Sequence, residues 1–212
     1  MARKTHSTSE ESRAAILDAA EKIVVDVGPA GLRISAVAKN AGMAHPNVIH
    51  HFGSREGLLN SLAERVGERA TSRITAAISK ALTASPEERV ASMTHVLDTA
   101  YQGDEGKLAV WLHLSGVESS FRSNMEKIVE LSHELRKAVK GQVDYENTNR
   151  LVMLVTLALV GEVVSGASIK EALGFSKNDE NRAHFRQWLA EILLNLSDTD
   201  LATSLSTTKK NN

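Results

Sequence analysis

Residues 33–55 read RISAVAKNAGMAHPNVIHHFGSR. The pattern predicts a short helix over residues 33–41, which Gly42 ends because glycine readily takes the left-handed turn conformation. A second short helix is predicted over residues 45–51, since its proline is tolerated in the first helical turn. Two short helices joined by a glycine turn have the form of a helix-turn-helix, which places its second helix in the major groove of DNA.

The charge of this region supports contact with DNA. The whole chain has 212 residues and a net charge of −1, yet residues 27–55 contain three cations and no Asp or Glu. His45 and Asn47 come early in the second helix and can meet base edges. The predicted DNA-contacting residues are Arg33, Ser35, His45, Asn47, His50, His51 and Arg55.

Other residues in the pair of helices are predicted to be structural. Val37, Ala38, Val48 and Phe52 are expected to form the core that holds the two helices at their angle. Ala44 precedes the second helix and has no hydroxyl to cap it, a loss of about 0.5–2 kcal/mol relative to serine.

The stretch from Arg13 to Leu59 resembles the DNA-binding domain of the TetR family of regulators. The resemblance implies that His50 and Arg55 contact phosphates of the DNA. Where that family usually has Thr, Ser and Tyr, this chain has Arg33, Ala44 and Ile49. The resemblance rests on Arg13, Ile16, Leu17, Ala19, Ala20, Gly28, Ile34, Val37, Ala38, Ala41, Gly42, Met43, His50, Phe52, Ser54, Arg55, Glu56 and Leu58, and on the run from His45 to Leu58.

The rest of the chain shows apolar residues at helical spacing and no strand-like alternation of useful length. We therefore predict an all-α fold, with a three-helix DNA-binding domain over residues 1–60, a helical bundle over 61–197 and a disordered tail over 198–212. The predicted helices span residues 9–27, 55–82, 86–101, 107–117, 121–140, 144–173 and 178–196, with a loop at 102–106.

The resemblance implies that the bundle binds a small effector and pairs two subunits. Polar or polarisable residues that interrupt apolar helices are candidates for the effector pocket, because ligand cavities are mostly apolar with a few polar anchors. They are Tyr101, Trp111, His113, Glu118, Met125 and Glu162. The last two long helices are the expected dimer interface, represented by Leu159, Val163, Trp188, Leu189, Ile192 and Leu193.

Composition argues against export, membrane insertion and catalysis. The chain has no cysteine, which suits a reducing compartment, and the polar first eleven residues lack the core of a signal peptide. Residues 151–169 carry Glu162 as their only charge, but they are expected to be buried in a core or subunit interface. No nucleophile elbow, phosphate-binding loop or His-x-x-x-His pair is present, so no enzyme, cofactor or metal site is predicted.

The sequence therefore predicts a cytoplasmic, homodimeric regulator of transcription. It would repress by binding a palindromic DNA operator and leave the operator when an effector binds. The alternative is a helical adaptor protein whose helix-turn-helix packs against another protein.

Overall fold

The computed structural model of the protein describes residues 9–101, 103–116, 121–175 and 180–196. The prediction of an all-α fold is confirmed, since these residues form helices and no strand. The α-helices are α1 (Ser9–Val27), α2 (Ile34–Asn40), α3 (His45–Phe52), α4 (Arg55–Ala81), α5 (Arg89–Thr99), α6 (Gly103–Leu114), α7 (Phe121–Lys140), α8 (Tyr145–Ala172) and α9 (Glu180–Asn195). Short 3-10 turns at Pro29–Gly31 and Pro86–Glu88 precede α2 and α5.

Capping residues explain why several helices begin where the sequence places them. The Ser54 hydroxyl accepts a hydrogen bond from the backbone N–H of Gly57 at 3.0 Å, which caps α4. The Glu88 carboxylate accepts one from the backbone N–H of Ser85 at 3.1 Å, as in a capping box. Ala44 supplies no side-chain bond to α3, as predicted.

The chain forms two compact units. The N-terminal unit comprises Met1–Glu68 and Gly103–Phe121, and the C-terminal unit comprises Arg69–Gln102 and Arg122–Asn212. Helix α4 is continuous through the residues where the first unit gives way to the second. The sequence analysis placed one boundary at residue 60, whereas here a helix from the middle of the chain, α6, joins the N-terminal helices.

Helix α6 differs from its prediction because it begins at Gly103, within the segment expected to be a loop. Asp104 and Glu105 occupy its first turn, where negative charge interacts favourably with the helix dipole. Leu108 and Leu112 are fully buried with α1 to α4 in the hydrophobic core of the N-terminal unit. That core also contains Val37, Ala38, Val48 and Phe52, so their predicted structural role is confirmed.

The C-terminal unit has two groups of buried apolar residues. One group contains Ile78, Val96 and Leu135, from α4, α5 and α7. The other contains Leu97, Leu159 and Leu189, from α5, α8 and α9. Helix α5 therefore contributes to both groups and packs along α9.

Helix α8 is the one described helix that is long and apolar enough to cross a membrane by length and composition. Only 11% of its most apolar window is buried in the structure. The expectation of a helix buried in the core of its own chain is therefore not met, because much of its apolar surface faces outward.

Candidate nucleic-acid interface and internal cavity

Helix α3 presents a polar face to solvent. His45, Asn47 and His50 are exposed, whereas Val48 and Phe52, four residues apart, point into the core of the N-terminal unit. The turn before α3 depends on Gly42, whose φ of +66° is a conformation that side chains other than glycine rarely adopt. The sequence prediction of which face points outward therefore agrees with the structure.

The remaining predicted DNA contacts differ in exposure. Arg33 and Ser35 are exposed at the start of α2, and Lys39 is exposed near its end. His51 is half-buried and lies in an edge contact with His50, with ring centroids 5.7 Å apart. Arg33 and the α3 face together form an acid-free polar surface, which we call the α2–α3 surface.

Arg55, which is predicted to contact a phosphate, is held by contacts within the chain. Its Nε atom donates to the carbonyl oxygen of Leu32 at 2.9 Å, and its Nη2 atom donates to that of Pro29 at 2.6 Å. Its Nη1 atom lies 3.5 Å from the Glu56 carboxylate. Because these contacts fix the guanidinium, Arg55 is a positioning residue that holds the segment before α2 against the start of α4.

Arg13 positions the recognition helix in a similar way. Its guanidinium donates from Nη1 to the carbonyl oxygen of His51 at 3.2 Å and lies 4.4 Å from the centre of the Phe52 ring. Its Nη2 atom donates to the Ser61 hydroxyl at 2.9 Å. A carbonyl at the end of a helix lacks an intrahelical partner, so Arg13 satisfies one and ties α3 to α1 and α4.

Gly57 is a second positioning feature that the sequence analysis did not single out. A Cβ atom at this position would lie 2.1 Å from the carbonyl oxygen of Phe52. The close approach of α4 to the end of α3 therefore requires glycine. A glycine within the first turn of an otherwise regular helix was the available signal, since glycine is disfavoured there.

The C-terminal unit contains an internal cavity of about 130 Å³ between α4, α5, α7, α8 and α9. Among the predicted pocket residues, Tyr101 and Met125 line this cavity. Burial raises the pKa of the Tyr101 hydroxyl, so the side chain stays neutral at physiological pH. Tyr101 also has a positive φ of 54°, an uncommon conformation for a residue with a side chain.

The other predicted pocket residues do not line the cavity. Trp111 and His113 are exposed on α6 in the N-terminal unit. The rings of His113 and Phe121 pack against each other there, with their centroids 4.7 Å apart. The Glu162 carboxylate is buried, but it accepts a hydrogen bond from Nε of Arg186 at 3.0 Å. Glu118 lies outside the described residues. Order along the chain misplaced Trp111 and His113, because α6 packs with the N-terminal helices.

Sequence reasoning missed a polar group at one end of the cavity. Thr148 and Arg136 both line it, and Arg136 Nη1 donates to the Thr148 hydroxyl at 2.6 Å. That hydroxyl donates to the Asp144 carbonyl oxygen at 3.2 Å, and the Nδ1 atom of His133 lies 3.0 Å from it. Ser132, one turn before Arg136 on α7, completes the group.

The predicted dimer residues separate into two groups. Leu159 and Leu189 are buried inside the subunit, with Leu193 partly buried against them. Val163 and Ile192 are half-buried, and Trp188 is 56% exposed. Four exposed apolar residues of α8 lie on another face, which we call the α8 stripe: Met153, Leu154, Leu157 and Val164.

Comparison with known proteins finds similar proteins for part of the chain. Residues 16–62 match the profile of the bacterial regulatory proteins of the tetR family. The transcriptional regulator BetI of Rhizobium meliloti is 33% identical over 104 residues, which cover 47% of this chain and 48% of BetI. A transcriptional repressor of Mycobacterium tuberculosis is 33% identical over 69 residues, which cover 32% of this chain and 37% of the repressor. The chain thus spans less than half the length of these relatives.

Solved structures resemble a larger part of the chain. A TetR-family regulator from Mesorhizobium loti has a TM-score of 0.66 and 13% identity, covering 89% of this chain and 98% of its own. The multidrug binding protein EbrR, solved with imidazole, has a TM-score of 0.53 and 19% identity, covering 84% and 93%. At these identities the likeness concerns the fold alone. BetI, the mycobacterial repressor and the Mesorhizobium loti protein are named as regulators of transcription.

Proposed function

We propose that this chain, whose residues 16–62 match the tetR family of bacterial regulatory proteins, is a ligand-responsive repressor of transcription in the cytoplasm. The observation that carries the proposal is the α2–α3 surface. It exposes Arg33, His45, Asn47 and His50 on a segment without a single acidic residue. Cations attract the phosphate backbone, and side chains early in the recognition helix meet the bases.

The second part of the proposal is that the protein binds DNA as a homodimer. The α8 stripe is a row of aliphatic side chains at helical spacing, and Leu157 on it is 62% exposed. A contiguous apolar surface of this kind is typical of a binding interface. A second copy is the favoured occupant, because a two-fold dimer would present two recognition helices to a palindromic operator.

Because of these exposures, the proposed dimer interface contains some but not all of the residues that the sequence predicted for it. Trp188 on α9 and the α8 stripe are available to a partner, together with the half-buried Val163 and Ile192. Leu159 and Leu189 stabilise the subunit itself. By length and composition, α8 also passes as a membrane-spanning helix. The oligomeric state of the purified protein in the absence of detergent distinguishes a dimer interface from a membrane span.

The third part is that the cavity binds the effector. EbrR, which shares the fold, has been solved with ethidium and with malachite green. The cavity of this chain is internal, mostly apolar and provided with a few polar groups, which are the usual features of a small-molecule site.

Release from DNA would follow from different ligand affinities in two conformations. A ligand that binds the DNA-free conformation more tightly shifts the population towards it, and the coupling is reciprocal. Such couplings are typically about 1–3 kcal/mol. Helix α4 contributes residues to both units and is the continuous element through which the two states would be linked.

The decisive experiment selects binding sites from a pool of random duplex DNA with the purified full-length protein. A repressor of this kind should enrich a sequence with two related half-sites. Its affinity for that sequence should fall by about 10³ between 50 and 200 mM salt if roughly six phosphates are contacted. Failure to enrich any sequence, with binding that is insensitive to salt, would instead favour the adaptor alternative.

A further inference from the structure

The lining of the cavity is almost entirely aliphatic. Of the described lining residues, Tyr101 is the one aromatic, and none is Asp, Glu or His. The aliphatic and thioether lining consists of Ile74, Ile78, Met93, Val96, Leu97, Ala100, Met125, Ile128, Leu135, Leu151, Val152, Val155, Leu159 and Leu193. Flat aromatic ligands usually stack on aromatic side chains, so this lining favours an aliphatic ligand.

The residues that line the cavity are spread along two helices. Its lining residues on α7 extend from Met125 to Arg136, and those on α8 extend from Thr148 to Leu159. At 1.5 Å per residue, each of these stretches covers about 16 Å of helix. A volume of about 130 Å³ spread over this length suits an unbranched chain better than a ring system.

The two ends of the cavity differ in polarity. Arg136 and Thr148 are joined by a hydrogen bond, which places the end of α7 beside the start of α8. Ser132 lies one turn from Arg136 on the same face of α7, and its hydroxyl makes no hydrogen bond within the described part of the chain. Near the opposite end, Met125 and Leu159 line the cavity together with two uncharged hydroxyl groups, those of Tyr101 and Thr156. A ligand with one charged head and one uncharged tail matches this asymmetry.

The charge of the lining determines which head group fits. Arg136 carries a positive charge, and it is the one charged residue among the described residues that line the cavity. Bonds from its Nη1 atom to Thr148 and to the Asp144 carbonyl oxygen, at 2.6 and 3.3 Å, are among the contacts that hold the guanidinium in place. Its positive charge attracts a carboxylate and repels an ammonium group at this end.

We infer that the effector is an unbranched aliphatic carboxylate, with its head at Arg136 and Ser132 and its tail along α7 and α8 towards Leu159. This inference rests on the proposed function, since it names the chemical class of the ligand that would release DNA. The head group is held by charge and hydrogen bonds, and the tail is held by burial of its methylene groups.

The test compares three ligands of equal length, octanoate, octan-1-ol and octylammonium, by calorimetric titration into the full-length protein. Octanoate should bind about 10- to 100-fold more tightly than octan-1-ol, the difference expected for a charged hydrogen bond. Octylammonium should bind more weakly than either. From butanoate to octanoate, affinity should rise by about fourfold per methylene group. An ammonium ligand that binds as tightly as the carboxylate would overturn the inference.

Variants locate the head group. Arg136→Gln should abolish the preference for octanoate over octan-1-ol, whereas Arg136→Lys should keep part of it. Lys137→Gln is the matched control, because it removes a neighbouring charge that is exposed on α7 and paired with Glu134. Thermal unfolding without ligand shows whether each variant is folded. If Arg136→Gln does not fold, Ser132→Ala replaces it, with a smaller loss expected for octanoate alone. An equal loss in Lys137→Gln would contradict the assigned site.

DNA binding without ligand, measured on the same preparations, separates this inference from the proposed function. A protein that binds its selected DNA but no alkyl carboxylate would refute the ligand class and leave the repressor function intact. A protein that binds octanoate at Arg136 but no DNA would refute the function and leave the ligand class standing.

Discussion

The Nε atom of Arg55 donates a hydrogen bond to the carbonyl oxygen of Leu32, 23 residues earlier in the chain, at 2.9 Å. Leu32 is fully buried, and it precedes Arg33, the first residue of the α2–α3 surface. One side chain at the start of α4 therefore fixes the backbone from which α2 begins. Arg55, which is predicted to contact DNA, therefore also positions the start of α2.

Arg55→Ala is expected to lower the free energy of unfolding by about 1.5–3 kcal/mol, because it leaves two carbonyl oxygens without their charged donor. Arg55→Lys should recover little of this loss, since an ammonium group cannot reproduce the geometry of the guanidinium. Chemical denaturation of the full-length protein measures both. Arg33→Ala is the matched control: it should leave stability unchanged and reduce the slope of log affinity against log salt by about 0.9. A loss of stability in Arg33→Ala without one in Arg55→Ala would contradict the structural role of Arg55 and the DNA-contacting role of Arg33.

Asn47→Ala and His45→Ala are expected to reduce discrimination between the selected DNA site and a scrambled one. Each specific base contact that is lost should cost about 1–3 kcal/mol, while affinity for unrelated DNA changes little. Fluorescence anisotropy with both duplexes measures the difference. Lys39→Ala, an exposed change on α2, should weaken both duplexes similarly or not at all. Unchanged selectivity in Asn47→Ala would mean that α3 does not read the bases.

Ala44→Ser is expected to stabilise the protein by about 0.5–1 kcal/mol. Ala44 is the N-cap of α3 with extended backbone angles, and a serine hydroxyl there can accept a hydrogen bond from the first turn. Pro46 has no N–H, so Asn47 is the donor available in that turn and the gain should be modest. A rise in the thermal midpoint of unfolding would support this capping effect. Ala44→Val is the control and should give no rise, because it adds bulk without an acceptor.

Leu157→Glu is expected to convert the dimer into a folded monomer, because it places a charge in the centre of the α8 stripe. Sedimentation velocity at micromolar concentration without detergent measures the change. Lys137→Glu, an exposed change of charge on α7, should leave the dimer intact. A parent protein that is monomeric under these conditions would refute the proposed interface. A parent that requires detergent would point to the membrane reading of α8.

Glu162→Gln is expected to destabilise the protein by about 3 kcal/mol, the lower end of the usual cost of breaking a buried ion pair, because Asp98 remains 3.5 Å from Arg186. Arg186 is only 2% exposed, and its Nη1 atom also donates to the Leu97 carbonyl oxygen at 2.8 Å. Glu146→Gln removes the exposed partner of Arg150 and should cost less than about 0.5 kcal/mol. Similar losses in the two variants, measured by denaturation, would contradict the importance of burial.

Local signals made part of this structure predictable. The predicted bounds of α1 and α7 agree with the observed Ser9–Val27 and Phe121–Lys140. Gly42 and Ser54 mark ends of helices through chemistry that acts within a few residues, so a sequence reveals them directly. The buried face of α3 followed in the same way from the spacing of Val48 and Phe52.

Features that depend on distant contacts were not predictable in this way. Helix α8 is apolar on most sides, so its spacing could not show that Leu159 faces inward while Leu157 faces outward. The cavity combines residues of five helices, and the pairing of Arg136 with Thr148 becomes visible only once those helices are packed. The contacts of Arg55 with the carbonyl oxygens of Leu32 and Pro29 were not predictable either, because every residue has a backbone carbonyl and the sequence does not show which one is near.

The burial of Leu108 and Leu112 among α1 to α4 has a consequence for how the protein is made. A ribosome delivers the chain from its first residue onward, and domains generally fold in that order. Here the helix-turn-helix emerges long before α6, which closes its core. A nascent chain that ends before residue 112 therefore has an open apolar groove in its N-terminal half. For the same reason, a fragment cut at residue 60 should not serve as an autonomous module, and a transplant into another protein must carry α6 with it.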